Sequence, residues 1–273
     1  MLVFLWLMLL AYAEFVSTAD LNSNVYSSPP SQVRSIFLLA GQSNMSGRGG
    51  VINSTWDGIV PIQSQPKPSK ILRLSAGLQW VEANEPLHRD IDVNATCGVG
   101  PGMVFANTLL NINPRIGVIG LVPCAVGSRM GTKISQWGRG TYLYNQLLRR
   151  AKAAAALQVG GRFRIRALLW YQGESDTTNP QDASLYKMRL ERFFTNLRVD
   201  LKLPALPIIQ VALASGQGPF VDTVRQAQFG IHLRNVKTID ARGLPMQPDN
   251  LHLSTPAQVQ LGEKFAKAFA ATG

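Results

Sequence analysis

Ile36-Phe37-Leu38-Leu39-Ala40-Gly41-Gln42-Ser43-Asn44-Met45-Ser46-Gly47 is the stretch from which the rest of the chain is read. Five apolar residues, Ile36 to Ala40, have the length and character of a strand buried on both faces, as in a parallel sheet. They run straight into a glycine and then a hydroxyl at the tip of a turn. A nucleophile needs such a mount. The strand fixes its position, while a glycine-flanked turn exposes Oγ and aims backbone N–H groups at a developing oxyanion. Taken alone, the segment reads equally well as an ordinary strand-to-loop turn.

Outward from this stretch, strand-like and helix-like pieces alternate. A Pro, Ser and Gln-rich loop leads to a short apolar segment at Ile71 to Leu74, then to a helical pattern from Pro101 to Asn111. Arg115 to Val126 is β-rich, Leu143 to Leu157 reads as an Ala-rich helix, and Phe163 to Tyr171 as another strand. Tyr186, Leu190, Phe193, Phe194, Leu197 and Leu201 recur at helical spacing, so they paint the core-facing side of a long helix. Pro207 to Ala214 reads as a strand, Asp222 to Asn235 as a helix and Val236 to Asp240 as a short strand. Thr255 as N-cap with Pro256 behind it opens a last helix to about Ala271. The alternation predicts a single α/β domain, a three-layer α/β/α sandwich on a mainly parallel sheet. Ligands then bind at the carboxyl ends of the strands.

Those ends carry the chemistry. Ser43 follows the first strand, Gly127 follows the Arg115 strand, and Gln172, Gly173, Glu174 and Asp176 follow the Phe163 strand. All three loops should emerge on one edge, with Asp249-Asn250-Leu251-His252 able to reach it from the loop before the last helix. A serine needs a base, and the chain offers His88, His232 and His252. His232 falls inside a predicted helix. His88 lies in Leu87-His88-Arg89-Asp90-Ile91-Asp92, which lacks a second histidine and any recognised metal-ligand spacing. His252 has a carboxylate three residues earlier, so Asp249 can hold Nδ1–H while Nε2 faces the serine. Asp-x-x-His also arises often by chance.

Composition narrows the setting. At 273 residues the chain suits one large domain. Twenty-seven Lys and Arg against 16 Asp and Glu give a formal charge of +11, which favours an anionic neighbour. The basic residues are scattered and accompany no nucleic-acid-binding signature, so nucleic acid is not an expected partner. Leu2 to Ala13 has signal-peptide length and is too short to span a bilayer, and Ala11, Ala13, Ser17 and Ala19 are small residues of the kind that end such a leader. Its n-region has no Lys or Arg, which leaves a membrane anchor as the other reading. The expected organisation is a leader over residues 1–20, a linker over 21–34 and one domain over 35–273, secreted and without a later transmembrane stretch. In an oxidising compartment Cys97 and Cys124 either form one bridge, worth about 3 kcal/mol, or remain two buried thiols. Asn53-Ser54-Thr55 and Asn94-Ala95-Thr96 are glycosylation sequons, and Asn44-Met45-Ser46 also matches but lies in the proposed turn.

Three motifs together are more specific than any one. Gly41-Gln42-Ser43-Asn44-Met45, Trp170-Tyr171-Gln172-Gly173-Glu174-Ser175-Asp176 and Asp249-Asn250-Leu251-His252, in this order, resemble the SGNH/GDSL-like hydrolases. The match is nearest to the branch holding carbohydrate esterase family 6, acetyl xylan esterases and sialate O-acetylesterases, especially its plant members. It covers nearly all of the chain after the leader. The resemblance implies Ser43 as nucleophile, His252 as general base and then acid, and Asp249 as the group that orients His252. It implies an oxyanion hole made by the Ser43 N–H, a backbone N–H of Gly127 and the Gln172 side-chain amide, with Gln42, Asn44 and Glu174 supporting the site. No cofactor or metal is implied, and the expected partner is an acetylated polysaccharide or oligosaccharide of the extracellular space or cell wall.

One departure stands out. Relatives commonly carry adjacent glycines followed by threonine after the Pro-Cys-Ala element, whereas here Ser128-Arg129-Met130 separates Gly127 from Gly131-Thr132. Gly131 could therefore take the place of Gly127, and a catalytically impaired carbohydrate-binding protein becomes the alternative to an active esterase. A glycosidase using Glu174 and Asp176 is disfavoured, because two carboxylates from one short loop seldom span a sugar at the roughly 5 to 9.5 Å the mechanism needs. A conventional α/β-hydrolase is disfavoured because Gly-x-Ser-x-Gly is missing.

Overall fold

The computed structural model describes residues 34–156 and 163–272. The expected leader, and all of the expected linker but its last residue, lie outside the described residues. The quoted strand, β1 (Arg34–Gly41), is the middle of a seven-stranded sheet. Residues 36 to 40 are fully buried because strands pair along both edges of β1 and helices cover both faces. A hairpin of β2 (Val51–Ile52) and β3 (Thr55–Trp56) follows outside that sheet. The sheet continues with β4 (Ile71–Leu74), β5 (Trp80–Glu82), β6 (Ile119–Pro123), β7 (Phe163–Tyr171), β8 (Ile208–Ala212) and β9 (Val236–Asp240). Its order is β5-β4-β6-β1-β7-β8-β9, parallel throughout except for β5 at one edge.

The helices are α1 (Ser43–Ser46), α2 (Pro101–Ile112), α3 (Tyr142–Ala156), α4 (Pro180–Leu201), α5 (Val221–Phe229) and α6 (Thr255–Ala270). Two aromatic clusters mark the two cores they build. Phe37 of β1 meets Phe105 of α2 and Phe269 of α6 edge-on, with ring centroids 4.8 and 4.9 Å away. Trp170 of β7 meets Trp137, Phe193 and Phe194, and Tyr144 of α3 joins through Phe193. Thus α2 and α6 cover one face while α3 and α4 cover the other, which gives the expected three-layer sandwich. The stripe on α4 does as its spacing requires, since Tyr186, Leu190, Phe193, Phe194 and Leu197 are all buried.

Several boundaries differ from expectation. The strand expected over Arg115 to Val126 is shorter, because residues 114–116 make a 3-10 turn and Gly117 turns at φ 81° before Ile119. The helix expected to reach Asn235 stops at Phe229 ahead of Gly230, leaving His232 on an exposed loop. The N-cap of α6 is Ser254, whose Oγ accepts from the Ala257 N–H, so Thr255 is already helical. Strand β5 and the small hairpin carry no long apolar pattern and escaped the sequence reading. Cys97 and Cys124 are both buried free thiols, so the bridge is not formed.

Candidate active site

Because β1, β7 and β9 run parallel, their carboxyl ends deliver the three motif loops to one edge, where β6 adds the loop that holds Gly127. The first is sharply turned. Gly41 has φ 131°, and a Cβ there would sit 1.9 Å from the Tyr171 carbonyl oxygen, so only glycine brings β1 this close to the end of β7. The Gln42 N–H then donates to that same carbonyl at 2.9 Å, and the chain enters the single turn of α1 at Ser43. As the first helical residue, Ser43 has a backbone N–H without a partner inside the helix.

Ser43 Oγ lies 3.0 Å from His252 Nε2, and His252 Nδ1 lies 2.6 Å from Asp249 Oδ2. The carboxylate is itself anchored by its own loop, because Asp249 Oδ1 accepts from the backbone N–H groups of Leu251 and His252 at 3.0 and 2.9 Å. Asn250 takes a left-handed φ of 54° to close that turn. Burial opposes charging of His252 and pulls its pKa below the ordinary value, with Asp249 working the other way. Burial pushes on Asp249 too, but the two loop N–H groups and His252 prevail and hold its carboxyl below the usual range. A neutral imidazole between a hydroxyl and a carboxylate is the arrangement a general base requires.

Asn44 ties the three loops together. Its Nδ2 donates to Glu174 Oε1 at 2.8 Å and to the Leu251 carbonyl at 3.3 Å, while its Oδ1 accepts from the Leu253 N–H at 2.9 Å. Desolvation raises Glu174 to a pKa of about 7, against the Asn44 hydrogen bond. Its role is to clamp the loop, and it does not touch Ser43 Oγ. Asn44 is wholly buried, so its sequon is closed in the folded chain.

The expected oxyanion donors are disposed differently from Ser43, His252 and Asp249. Gly127 packs directly on the serine, for a Cβ there would lie 2.7 Å from both Ser43 Cα and Cβ. Its N–H, however, donates to Asp92 Oδ2 at 3.0 Å, and the Ser128 N–H donates to Asp92 Oδ1 at 2.9 Å. The Gln172 amide is buried and donates to the Thr132 carbonyl at 2.6 Å and Asp176 Oδ2 at 2.7 Å, so it faces the interior and not the serine. The physical reason is Asp176, whose buried carboxyl, raised by desolvation to about 7, needs donors and takes this one. Gln42 Oε1 faces Gln172 Nε2 at 3.4 Å, and Gln42 Nε2 is buried without a partner. Gly131 turns at φ 75°, where a Cβ would meet Ser175 Oγ, Gln217 Nε2 and Gln42 Nε2 before any atom of Ser43.

Two residues that the sequence reading did not place at the site organise this side. Arg48 and Asp92 form a buried ion pair at 2.6 Å, and Ser46 Oγ donates to the same carboxylate oxygen at 2.8 Å. Arg48 and the donors around it outweigh desolvation and keep the Asp92 pKa below its ordinary value. Asp92 thereby staples the loop after β6 to the turn after β1. Its only sequence signal was the acidic segment beginning at His88, which is spent otherwise: His88 is buried, and desolvation lowers its pKa to about 3. Among the described residues no cluster of three or more His, Cys, Asp or Glu could hold a metal ion, and no helix is long and apolar enough to cross a membrane. A cleft of about 720 Å³ opens at His252 and Asp249, lined also by Ser128, Arg129 and the two exposed sequon asparagines, Asn53 and Asn94.

The family model described as carbohydrate esterase, sialic acid-specific acetylesterase matches residues 33–271. The chain belongs to this family. It is 52% identical over 248 residues to an Arabidopsis thaliana protein named probable carbohydrate esterase At4g34215, covering 88% of this chain and 91% of that one. The X-ray structure of the Arabidopsis protein superposes with a TM-score of 0.81, covering 89% of this chain and 99% of the other. The crystal structure of NanS shares the fold at a TM-score of 0.69 and 20% identity, covering 89% of this chain and 98% of that one. Family membership makes the protein a carbohydrate acetylesterase, a carboxylic ester hydrolase.

Proposed function

We propose that this esterase removes O-acetyl groups from cell-wall polysaccharides through a Ser-His-Asp acyl-enzyme mechanism. The observation that carries the proposal is the unbroken chain from Asp249 through His252 to Ser43, with contacts of 2.6 and 3.0 Å. Ser43 Oγ attacks the acetyl carbonyl carbon while His252 Nε2 takes the hydroxyl proton. The tetrahedral intermediate expels the sugar oxygen, which receives that proton from His252. Water then attacks the acetyl carbonyl carbon while His252 Nε2 takes one of its protons; His252 returns that proton to Ser43 Oγ as the acyl C–O bond breaks, and the acetic acid released ionises to acetate in solvent. Asp249 stays ionised and holds the imidazole in the tautomer that presents a bare Nε2.

The oxyanion meets the Ser43 N–H at the start of α1 and the face of Gly127. Full use of the Gly127 N–H asks the intermediate to share it with Asp92. That competition favours a second reading, a weakly catalytic member that binds carbohydrate. Export is supported by the apolar first residues and by the two exposed sequons, and an acidic wall matrix suits the formal charge of +11.

An acetate-release panel spanning acetylated xylan, pectin, mannan and sialic acid esters tests the proposal. Turnover is expected on at least one polymer, with Ser43→Ala and His252→Ala each lowering kcat by roughly 10⁶. Unchanged turnover in either variant would falsify the mechanism. The rate at which a serine-directed phosphonate labels Ser43 separates the readings, since an active esterase labels fast and a weakly catalytic member slowly.

A further inference from the structure

Resting on the esterase reading of the cleft, we infer that a second sugar subsite built around Tyr142 continues it, so that the enzyme takes an oligosaccharide chain and not a single acetylated sugar. A second cavity of about 640 Å³ adjoins the cleft of about 720 Å³, and Asn94 and Ser128 line both. Both volumes fall in the range of ligand sites, roughly 300–1,000 Å³. Ser128-Arg129-Met130, which separates Gly127 from Gly131, is the ridge between them. Ser128, at φ 54° with its N–H on Asp92, sends Arg129 to the cleft beside His252 and Met130 to the second cavity. The segment is braced from behind, where Ser175 Oγ and Gln217 Nε2 both donate to the Met130 carbonyl at 3.4 Å.

The second cavity has the chemistry of a sugar platform. Tyr142 is 73% exposed and Met130 80%, whereas Leu143 and Tyr144 beside Tyr142 are buried and fix the start of α3. Among the described residues no aromatic ring packs on Tyr142. Large apolar side chains left open and rimmed by polar groups mark binding surfaces. Here the rim is Gln136 and Thr141: Gln136, whose Oε1 is taken by the Lys133 N–H, offers its Nε2 to a sugar hydroxyl, and the Thr141 Oγ1, whose proton goes to the Gln136 and Gly138 carbonyls, is left to accept from one. The electron-rich face of a tyrosine ring attracts the slightly positive C–H face of a pyranose, as it does the edge of another ring. Continuity with the cleft at Asn94 and Ser128 makes the occupant the next sugar of the same chain.

Kinetics on acetylated oligosaccharides of increasing length, from a single sugar upward, test this beside 4-nitrophenyl acetate as a substrate too small to reach Tyr142. The wild type should show KM falling with chain length. In Tyr142→Ala that gain should disappear, with KM on the longer chains raised by about tenfold, kcat little changed and 4-nitrophenyl acetate turnover intact, while Tyr142→Phe keeps the wild-type profile. Calorimetric titration with unacetylated xylo-, manno- and galacturono-oligosaccharides reads the subsite without catalysis. Loss of 4-nitrophenyl acetate turnover in the wild type overturns the esterase reading and leaves the titration to decide the subsite. A length dependence untouched by Tyr142→Ala, binding of none of the three oligosaccharides, or a Tyr142-dependent preference for longer acyl chains among 4-nitrophenyl esters overturns the subsite.

Discussion

On one side of the cleft, Ser43, His252 and Asp249 sit on turns closed within their own loops, and one buried side chain, Asn44, ties those loops together. Gly41 permits the turn at Ser43, and the Asp249 carboxylate is caught by N–H groups two and three residues along. On the other side, the loop after β6 is shaped by a carboxylate 35 residues away in sequence, because Asp92 holds the N–H groups of Gly127 and Ser128 while paired to Arg48. The first side presents its reactive atoms to one another. The second has its donors already occupied. A nucleophile can be built from local loops, whereas an environment for developing charge depends on which distant polar groups compete for the same N–H.

Substitutions that strike one side and spare the other break this comparison. The largest effect is expected from Asp249→Ala, which frees the imidazole to adopt the wrong tautomer and should cut kcat about 10⁴-fold with little change in thermal stability. A loss of less than tenfold would show that His252 is oriented by other means. Asp92→Ala acts on the opposite side and on folding, since it strands the Arg48 charge in the interior. Denaturant unfolding should read about 3–5 kcal/mol less stability, and a near-neutral result would mean that water replaces the carboxylate.

Gly127→Ala is expected to spare most of the stability and to push Ser43 out of line, since its Cβ would overlap the serine. Roughly a 10²-fold loss in kcat should follow, against no loss if the loop yields. A separate effect, on stability against pH, concerns Glu85, whose carboxyl burial pushes up to about 8. Its folded value exceeds its unfolded one, so its contribution is fully present below about 4.5 and is lost as pH rises toward 8. Calorimetry should find Tm falling across that window, and Glu85→Gln should flatten the fall. For activity, the acid limb of kcat/KM should lie below the ordinary histidine value, because burial lowers His252 and its neutral form is the active one.

Much of this protein is written in short segments. The apolar run from Ile36 to Ala40, the stripe on α4 and the spacing of strands and helices determine the layers, because hydrophobic periodicity reports which face is buried. The three motif loops reach one edge for the same reason, since parallel strands put all their carboxyl ends together. Neither the Arg48–Asp92 pair nor the inward turn of the Gln172 amide toward Asp176 has any local signature, because each depends on partners brought together only by packing of distant elements. The free state of Cys97 and Cys124 and the ridge made by Ser128, Arg129 and Met130 belong to the same class. The sequence by itself determined which residues could carry the chemistry and on which edge they gather. The tertiary structure alone decided which N–H groups are free to receive a charge, because a buried donor goes to the nearest acceptor in space, whatever its distance along the chain.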